Sequence, residues 1–338
     1  MCPDLMLLHQ KLVVKFDNED GIDYGGLSRE WMYEISHQIL NPQYCLFVTR
    51  GSLNDYIFEI NPLSSMMPDF KQNFNFVGRM IGLALFHLRF LDCSFSKIFY
   101  KQILNQPCTY EDIQQIDIEF YNSVDWLIKN NIEEAGLDMY FCMEMEYFGD
   151  VRVIEFKPDG RNIKVTEENK HDYIDLLVDW KIHFETREQM RYIIHGISEI
   201  IPLTWLRCFS IKEFEMLLCG IQDYDLDDWK KHTRYSTYDR DSIQIKWFWE
   251  FVQSLSSEDR GKLLHFVTGT TRVPSTGFKD LMGSTGVQQF MIQKWGTEKV
   301  LPRSHTCFNR LDLPPYTSYE QLQSKLMIAM QEVGHYIQ

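Results

Sequence analysis

Cys307 stands in the run Arg303-Ser304-His305-Thr306-Cys307-Phe308-Asn309-Arg310-Leu311-Asp312, with a histidine two residues before it. A thiolate attacks carbonyls and thioesters well, and a nearby cation raises its population. Arg303 and His305 are the local candidates for that cation, and His305 can also carry a proton. Thr306 can donate a hydrogen bond to an oxyanion, and Asp312 can act as a base or orient an incoming amine. Pro302 fixes the approach to the run; Leu311-Asp312-Leu313 reads as a short strand that Pro314-Pro315 stops. Three functions share these residues. One is an acceptor thiol in group transfer. Another is a cysteine protease that draws its histidine from elsewhere, with His195, His232 and His265 as candidates. The third is a binding module in which Cys307 is an inert, packed thiol. Composition and periodicity leave all three open.

The elements that must position these residues come from a chain of 338 residues, of which 44% are hydrophobic, so a large core is available. A formal net charge of −14 argues against nucleic acid as a partner. The eight cysteines are scattered, with neither a CxxC pair nor a zinc spacing, which fits free thiols in a reducing, cytoplasmic setting. The start, Met1-Cys2-Pro3-Asp4, lacks a basic leader, and its abruptness leads us to expect a domain cut from a longer protein. The most apolar region, Phe76 to Leu91, contains Arg79, His87 and Arg89 and is not a membrane span.

Periodicity predicts an α+β fold. Ser28 is expected to cap a helix running to about Leu40. Tyr56 to Ile60 reads as a strand, Phe74 to Phe90 as a helix that is apolar nearly all round, and Thr109 to Asn130 as further helix with Phe120, Val124 and Leu127 on one face. Asp159-Gly160 reads as a hairpin turn between Val151–Phe156 and Arg161–Val165. Glu168 to His183, Glu188 to Ile200 and Ile211 to Leu218 are helical. The acidic stretch after Cys219-Gly220 is the best linker, and the main domain boundary is placed there. Beyond it come an aromatic helix (Ile243 to Leu255), a helix that Ser257 can cap, a strand with Phe290 and Ile292 inward, and a final helix opened by capping boxes at Thr317 and Ser318.

The run Leu301 to Tyr316 resembles the catalytic segment of HECT-type ubiquitin ligases, in particular the branch whose full-length members carry WW domains. The resemblance extends along nearly the whole chain: Gly21-Ile22-Asp23-Tyr24-Gly25-Gly26-Leu27-Ser28-Arg29-Glu30-Trp31, Phe76-Val77-Gly78-Arg79, Leu91-Asp92, Val165 to Lys170, Leu217 to Gly220, Asp227-Asp228-Trp229 and Phe266 to Thr270 all match in order. It implies a bilobal fold, with an N-lobe over 1–221 that includes a conjugating-enzyme-binding subdomain at about 100–170. A hinge at 222–226 and a C-lobe over 227–338 complete it. It also implies a ubiquitin thioester on Cys307, taken from a ubiquitin-conjugating enzyme and passed to the lysine of a protein substrate, without metal or cofactor. Membrane contact would come only through domains outside this chain.

Carried over residue by residue, the resemblance assigns Cys307, His305, Thr306, Arg303 and Asp312 to catalysis. It assigns Phe120, Val124, Leu127, Leu137, Met139 and Tyr173 to a groove for the conjugating enzyme, and Tyr44 and Phe148 to a non-covalent ubiquitin site. Two departures stand out. The family usually has a phenylalanine near its end, and this branch an acidic last residue, whereas this sequence ends Gly334-His335-Tyr336-Ile337-Gln338. That difference bears on transfer to lysine rather than on thioester formation. Leu313-Pro314-Pro315-Tyr316 also resembles a WW-domain ligand, as well as being a strand stop.

Overall fold

The computed structural model describes residues 5–15, 26–52, 55–147, 150–283 and 286–335. Helices and short strands are mixed along the chain, so the α+β expectation holds. The chain divides into two compact units, one of Met1–Asn41, Val77–Ser94 and Gly196–Gln338, the other of Pro42–Phe76 and Phe95–His195.

Helix α1 (Gly26–Ile39) starts two residues before Ser28, which is buried inside the helix rather than capping it. Strands β1 (Phe47–Ser52) and β2 (Asp55–Ile60) pair antiparallel, with Phe47 opposite Ile60. Helix α2 (Phe70–Phe86) buries Phe74, Val77, Met80, Ile81 and Ala84 in the core, while Phe76 and Phe86 stay exposed. Ser96 caps α3 (Lys97–Leu104) by accepting from Phe99 N at 3.2 Å. Asp117 caps α4 (Ile118–Lys129) in the same way.

The hairpin expected at Asp159-Gly160 lies elsewhere. Strand β4 (Asp150–Glu155) pairs backwards with β3 (Cys142–Tyr147), and residues 160–162 form a 3₁₀ turn instead of a strand. Asp159 has a left-handed backbone (φ 61°), so the Asp-Gly signal marked a real turn but not its hairpin partner. The turn is close-packed: a Cβ on Gly160 would sit 2.2 Å from the Phe141 carbonyl oxygen. Gly160→Ala should therefore destabilise the protein by about 1 to 3 kcal/mol through overpacking. A denaturant midpoint equal to that of the parent would refute this.

Helices α5 (Lys170–Asp179) and α6 (Arg187–Ser198) follow, joined by a π turn over Trp180–Phe184. Val124 and Leu127 from α4, Phe141, and Tyr173, Ile174 and Leu177 from α5 form one core of this unit.

In the other unit, α7 (Leu203–Leu206) leads to α8 (Ile211–Cys219), which opens with a Ser210–Glu213 capping box. Then come α9 (Leu226–Lys231), β5 (Arg234–Ser236), α10 (Ile243–Ser254) and α11 (Ser257–Thr268). Ser256, not Ser257, caps α11, accepting from Asp259 N at 3.1 Å. A small ribbon of β6 (Met282–Gly283) and β7 (Gly286–Val287) precedes β8 (Met291–Lys294), β9 (Arg303–His305), β10 (Arg310–Leu313) and α12 (Tyr319–His335). Ser318 caps α12, its Oγ accepting from Gln321 N, but the Gln321 side chain returns to Thr317 N rather than to Ser318 N, so the expected reciprocal boxes are only half formed.

The sheet order is β5-β8-β10-β9, parallel except for the antiparallel β10–β9 pair. Phe290, Ile292, Leu311 and Leu313 are fully buried around Trp229, which stacks on Phe278 at 4.6 Å. Among the described residues no helix is long and apolar enough to cross a membrane.

Candidate active site

The hairpin β9–β10 builds the site by register alone. Arg303 lies opposite Asp312 and His305 opposite Arg310. Side chains two apart along a strand share a face, so these four charged residues share one face while Leu311 and Leu313 take the other into the core. The connection is Thr306 to Asn309, and Cys307 rides on it in a 3₁₀ turn, partly exposed beside exposed Phe308.

Asp312 is the centre of the charged face and is fully buried. Its Oδ2 accepts from Arg303 Nε at 2.7 Å and from His305 Nε2 at 3.0 Å. Arg310 Nε lies 3.0 Å from Oδ1, an ion pair without hydrogen-bond alignment. Burial pushes the Asp312 carboxyl up, but the hydrogen bonds from Arg303 and His305 and the charge of Arg310 outweigh it and hold the group below the usual carboxylate range. An anion so held is a weak proton acceptor and a good anchor: it fixes the His305 ring two residues from the thiol. Arg303 is fixed twice, since its guanidinium also stacks over the Trp295 ring at 3.9 Å.

The turn itself is held by Asn309, which is buried with a left-handed backbone (φ 48°, ψ 41°). Its amide donates to the carbonyls of Met282 (3.0 Å) and Gln288 (2.6 Å), and its Oδ1 accepts from Arg29 of α1 at 2.9 Å. Arg29 also donates to the Met282 and Thr306 carbonyls. Sequence reasoning left Asn309, Arg310 and Arg29 out of the site. The strand alternation that pairs Arg303 with Asp312 carries a signal for Arg310. Asparagine at the end of a tight turn carries one for Asn309. Arg29 has no local signal.

Leu313-Pro314-Pro315-Tyr316 is spoken for by the fold. Leu313 and Tyr316 are fully buried, Tyr316 Oη donates to the Val300 carbonyl at 2.8 Å, and Gln244 donates to the Tyr316 carbonyl at 3.0 Å. In the folded chain this segment is a strand stop and has no free face for a WW domain. The described cysteines form no disulfide, and among the described residues no group of three or more His, Cys, Asp or Glu side chains is placed to hold a metal ion.

A family model for the HECT-domain (ubiquitin-transferase) matches residues 33–336, which include the whole β9–β10 hairpin. The chain belongs to the HECT-domain family. This HECT domain is 48% identical over 325 residues to the E3 ubiquitin-protein ligase pub1 of Schizosaccharomyces pombe, covering 96% of this chain and 42% of that protein. It is 46% identical over 325 residues to the E3 ubiquitin-protein ligase RSP5 of Chaetomium thermophilum, covering 96% and 40%. It is likewise 46% identical over 325 residues to the probable E3 ubiquitin-protein ligase hulA of Aspergillus fumigatus, covering 96% and 40%. The chain thus spans about two fifths of the length of these curated relatives.

The groove residues assigned by resemblance fall into two groups in this HECT domain. Val124, Leu127 and Tyr173 are buried in the core around Phe141, so in this arrangement they support a surface rather than form one. Burial accordingly pushes the Tyr173 phenol up to about 12. Phe120 and Met139 are half-buried, and Leu137 is 39% exposed. Tyr44 is 54% exposed. Phe148 lies outside the described residues.

Proposed function

We propose that this HECT domain is the transfer module of a ubiquitin ligase, acting in the cytoplasm through a thioester on Cys307. The Cys307 thiolate attacks the thioester carbonyl that joins ubiquitin to a conjugating enzyme. The new C–S bond forms, the old one breaks, and the conjugating enzyme leaves as a thiolate. A substrate lysine amine then attacks the Cys307 thioester, a C–N bond forms, the C–S bond breaks to release the Cys307 thiolate, and the amine's proton passes to His305 or to water. Neither step needs further activation, because the incoming thioester already carries it. In this reading residues 1–221 and 227–338 act as two lobes about a hinge at 222–226. The exposed Leu137, with Phe120 and Met139, belongs to the conjugating-enzyme surface, and Tyr44 to a ubiquitin surface.

The observation that carries the proposal is the partly exposed Cys307 two residues after a His305 that a buried Asp312 anchors. The test is incubation with activating enzyme, conjugating enzyme and ubiquitin, followed by a non-reducing gel. A ubiquitin adduct that reductant removes is expected, with complete loss in Cys307→Ala. No adduct across several conjugating enzymes would sink the proposal, and cleavage of ubiquitin chains by the parent would replace it with a protease.

A further inference from the structure

We propose that Arg29 is a positioning residue for Cys307, working through Asn309; this deepens the transfer reaction proposed above and rests on it, the brace joining its two lobes in the arrangement that discharges the thioester to lysine. Arg29 lies on α1, 277 residues before Thr306, and is only 6% exposed. Its guanidinium donates to the carbonyls of Thr306 and Met282 and to Asn309 Oδ1. Asn309 completes the bracing: its amide shares the Met282 carbonyl and takes that of Gln288, and its own carbonyl accepts from Met291 N of β8 at 2.9 Å.

The Thr306 carbonyl belongs to the peptide bond that leads into Cys307. Holding that peptide plane fixes the direction in which the Cys307 side chain leaves the backbone. It also places a cation one peptide bond from the nucleophile. Arg29 serves Met282 and Asn309 from one guanidinium nitrogen and Thr306 from the other, a planar two-nitrogen fork that lysine's single ammonium nitrogen does not reproduce. Asn309 matches this need from the other side. It tolerates the left-handed backbone that ends the turn, and its carboxamide offers an acceptor to Arg29 and donors to the two carbonyls. Arg29 is buried, so it acts on the turn rather than from the surface.

A brace of this kind governs the maximal rate rather than partner affinity. In Arg29→Gln, discharge of a Cys307–ubiquitin thioester to free lysine should slow by about tenfold to a hundredfold at saturating lysine, with the KM for lysine unchanged. Arg29→Lys should recover part of the loss. Asn309→Ala should slow discharge similarly, and the double variant should be no slower than the worse single variant, because both act through one contact. A second readout does not depend on ubiquitin. Peptide mass spectrometry after iodoacetamide treatment compares Cys307 with the exposed Cys45 and Cys208. Alkylation of Cys307 relative to Cys208 should fall about tenfold in Arg29→Gln, while the Cys45 to Cys208 ratio stays constant. An unchanged Cys307 ratio, parent-like discharge or additive single effects would overturn the proposal. If the parent forms no ubiquitin thioester, the transfer reaction fails, yet the alkylation ratio still decides on the brace.

Discussion

Asp312→Asn should keep the fold and slow discharge of the Cys307 thioester to lysine by about a hundredfold or more, the range lost when a proton carrier is misplaced. The carboxylate takes two hydrogen bonds on one oxygen, from Arg303 and His305, and the charge of Arg310 on the other. A carboxamide has the same shape, but its NH₂ group would face cations and its single oxygen cannot serve them all. His305 then loses the anchor that fixes its ring at the entry to the Cys307 turn. The contrast with Asp312→Ala is informative. That change leaves two arginines and an imidazole around a buried slot and should cost about 3 kcal/mol in stability, the lower end for a broken buried pair. The lower end applies because Arg303, His305 and Arg310 all retain contact with water. Acid should act in the same direction. The folded-state value of Asp312 is depressed, so the stability it contributes is fully present above the unfolded carboxylate value of about 3.9. It is lost as pH falls through the folded value. Asp312→Asn should flatten that acid limb in a pH series of thermal melts. Discharge by Asp312→Asn at the parent rate would falsify the anchoring role.

Of the β9–β10 hairpin only β10 was legible from local signals, as Leu311-Asp312-Leu313 before Pro314-Pro315; β9 was not read from the sequence. The observed register then brings Arg303, His305, Arg310 and Asp312 to one face. The burial of Asp312 was not legible. Strand alternation puts it opposite Leu311 and Leu313, as if toward water, and only the flanking strand β9 with its cations encloses it. The groove residues show a second limit. Val124, Leu127 and Tyr173 sit inside, Leu137 outside, and the spacing of apolar residues is the same for a core face and for a docking face. Arg29 shows a third. Its partners lie more than 250 residues away in sequence, and nothing in its neighbours announces them. The misassigned hairpin belongs with the first lesson rather than the last: Asp159-Gly160 did turn the chain, but the partner of β4 was the alternating stretch before it, at Cys142–Tyr147.

Gly220→Pro should unfold the junction after α8 rather than merely stiffen it, at a cost on the order of 3 kcal/mol. Gly220 ends α8 with φ 61° and ψ −161°, a backbone that proline cannot adopt. Its N–H donates to the Met216 carbonyl at 3.0 Å, and proline has no N–H to give. Any Cβ there would lie 2.9 Å from the Val273 oxygen and 3.0 Å from Arg272 Cβ, just where Ile221 and Val273 exchange two backbone hydrogen bonds of 2.9 Å. Gly220 is thus a structural corner, and a cleaner probe of lobe movement lies three residues on. Asp223 is exposed, in a stretch without regular structure before α9. Asp223→Pro stiffens that stretch while leaving the corner intact. If the two thiols are brought together by movement about residues 222–226, Asp223→Pro should slow thioester formation by about tenfold, since gating then limits the rate, with a melting temperature close to the parent. Gly220→Pro should lose both stability and transfer. Single-turnover thioester formation and thermal melts of the two variants, measured side by side, separate motion from folding: equal thioester rates for Asp223→Pro and the parent would place the moving part elsewhere in the chain.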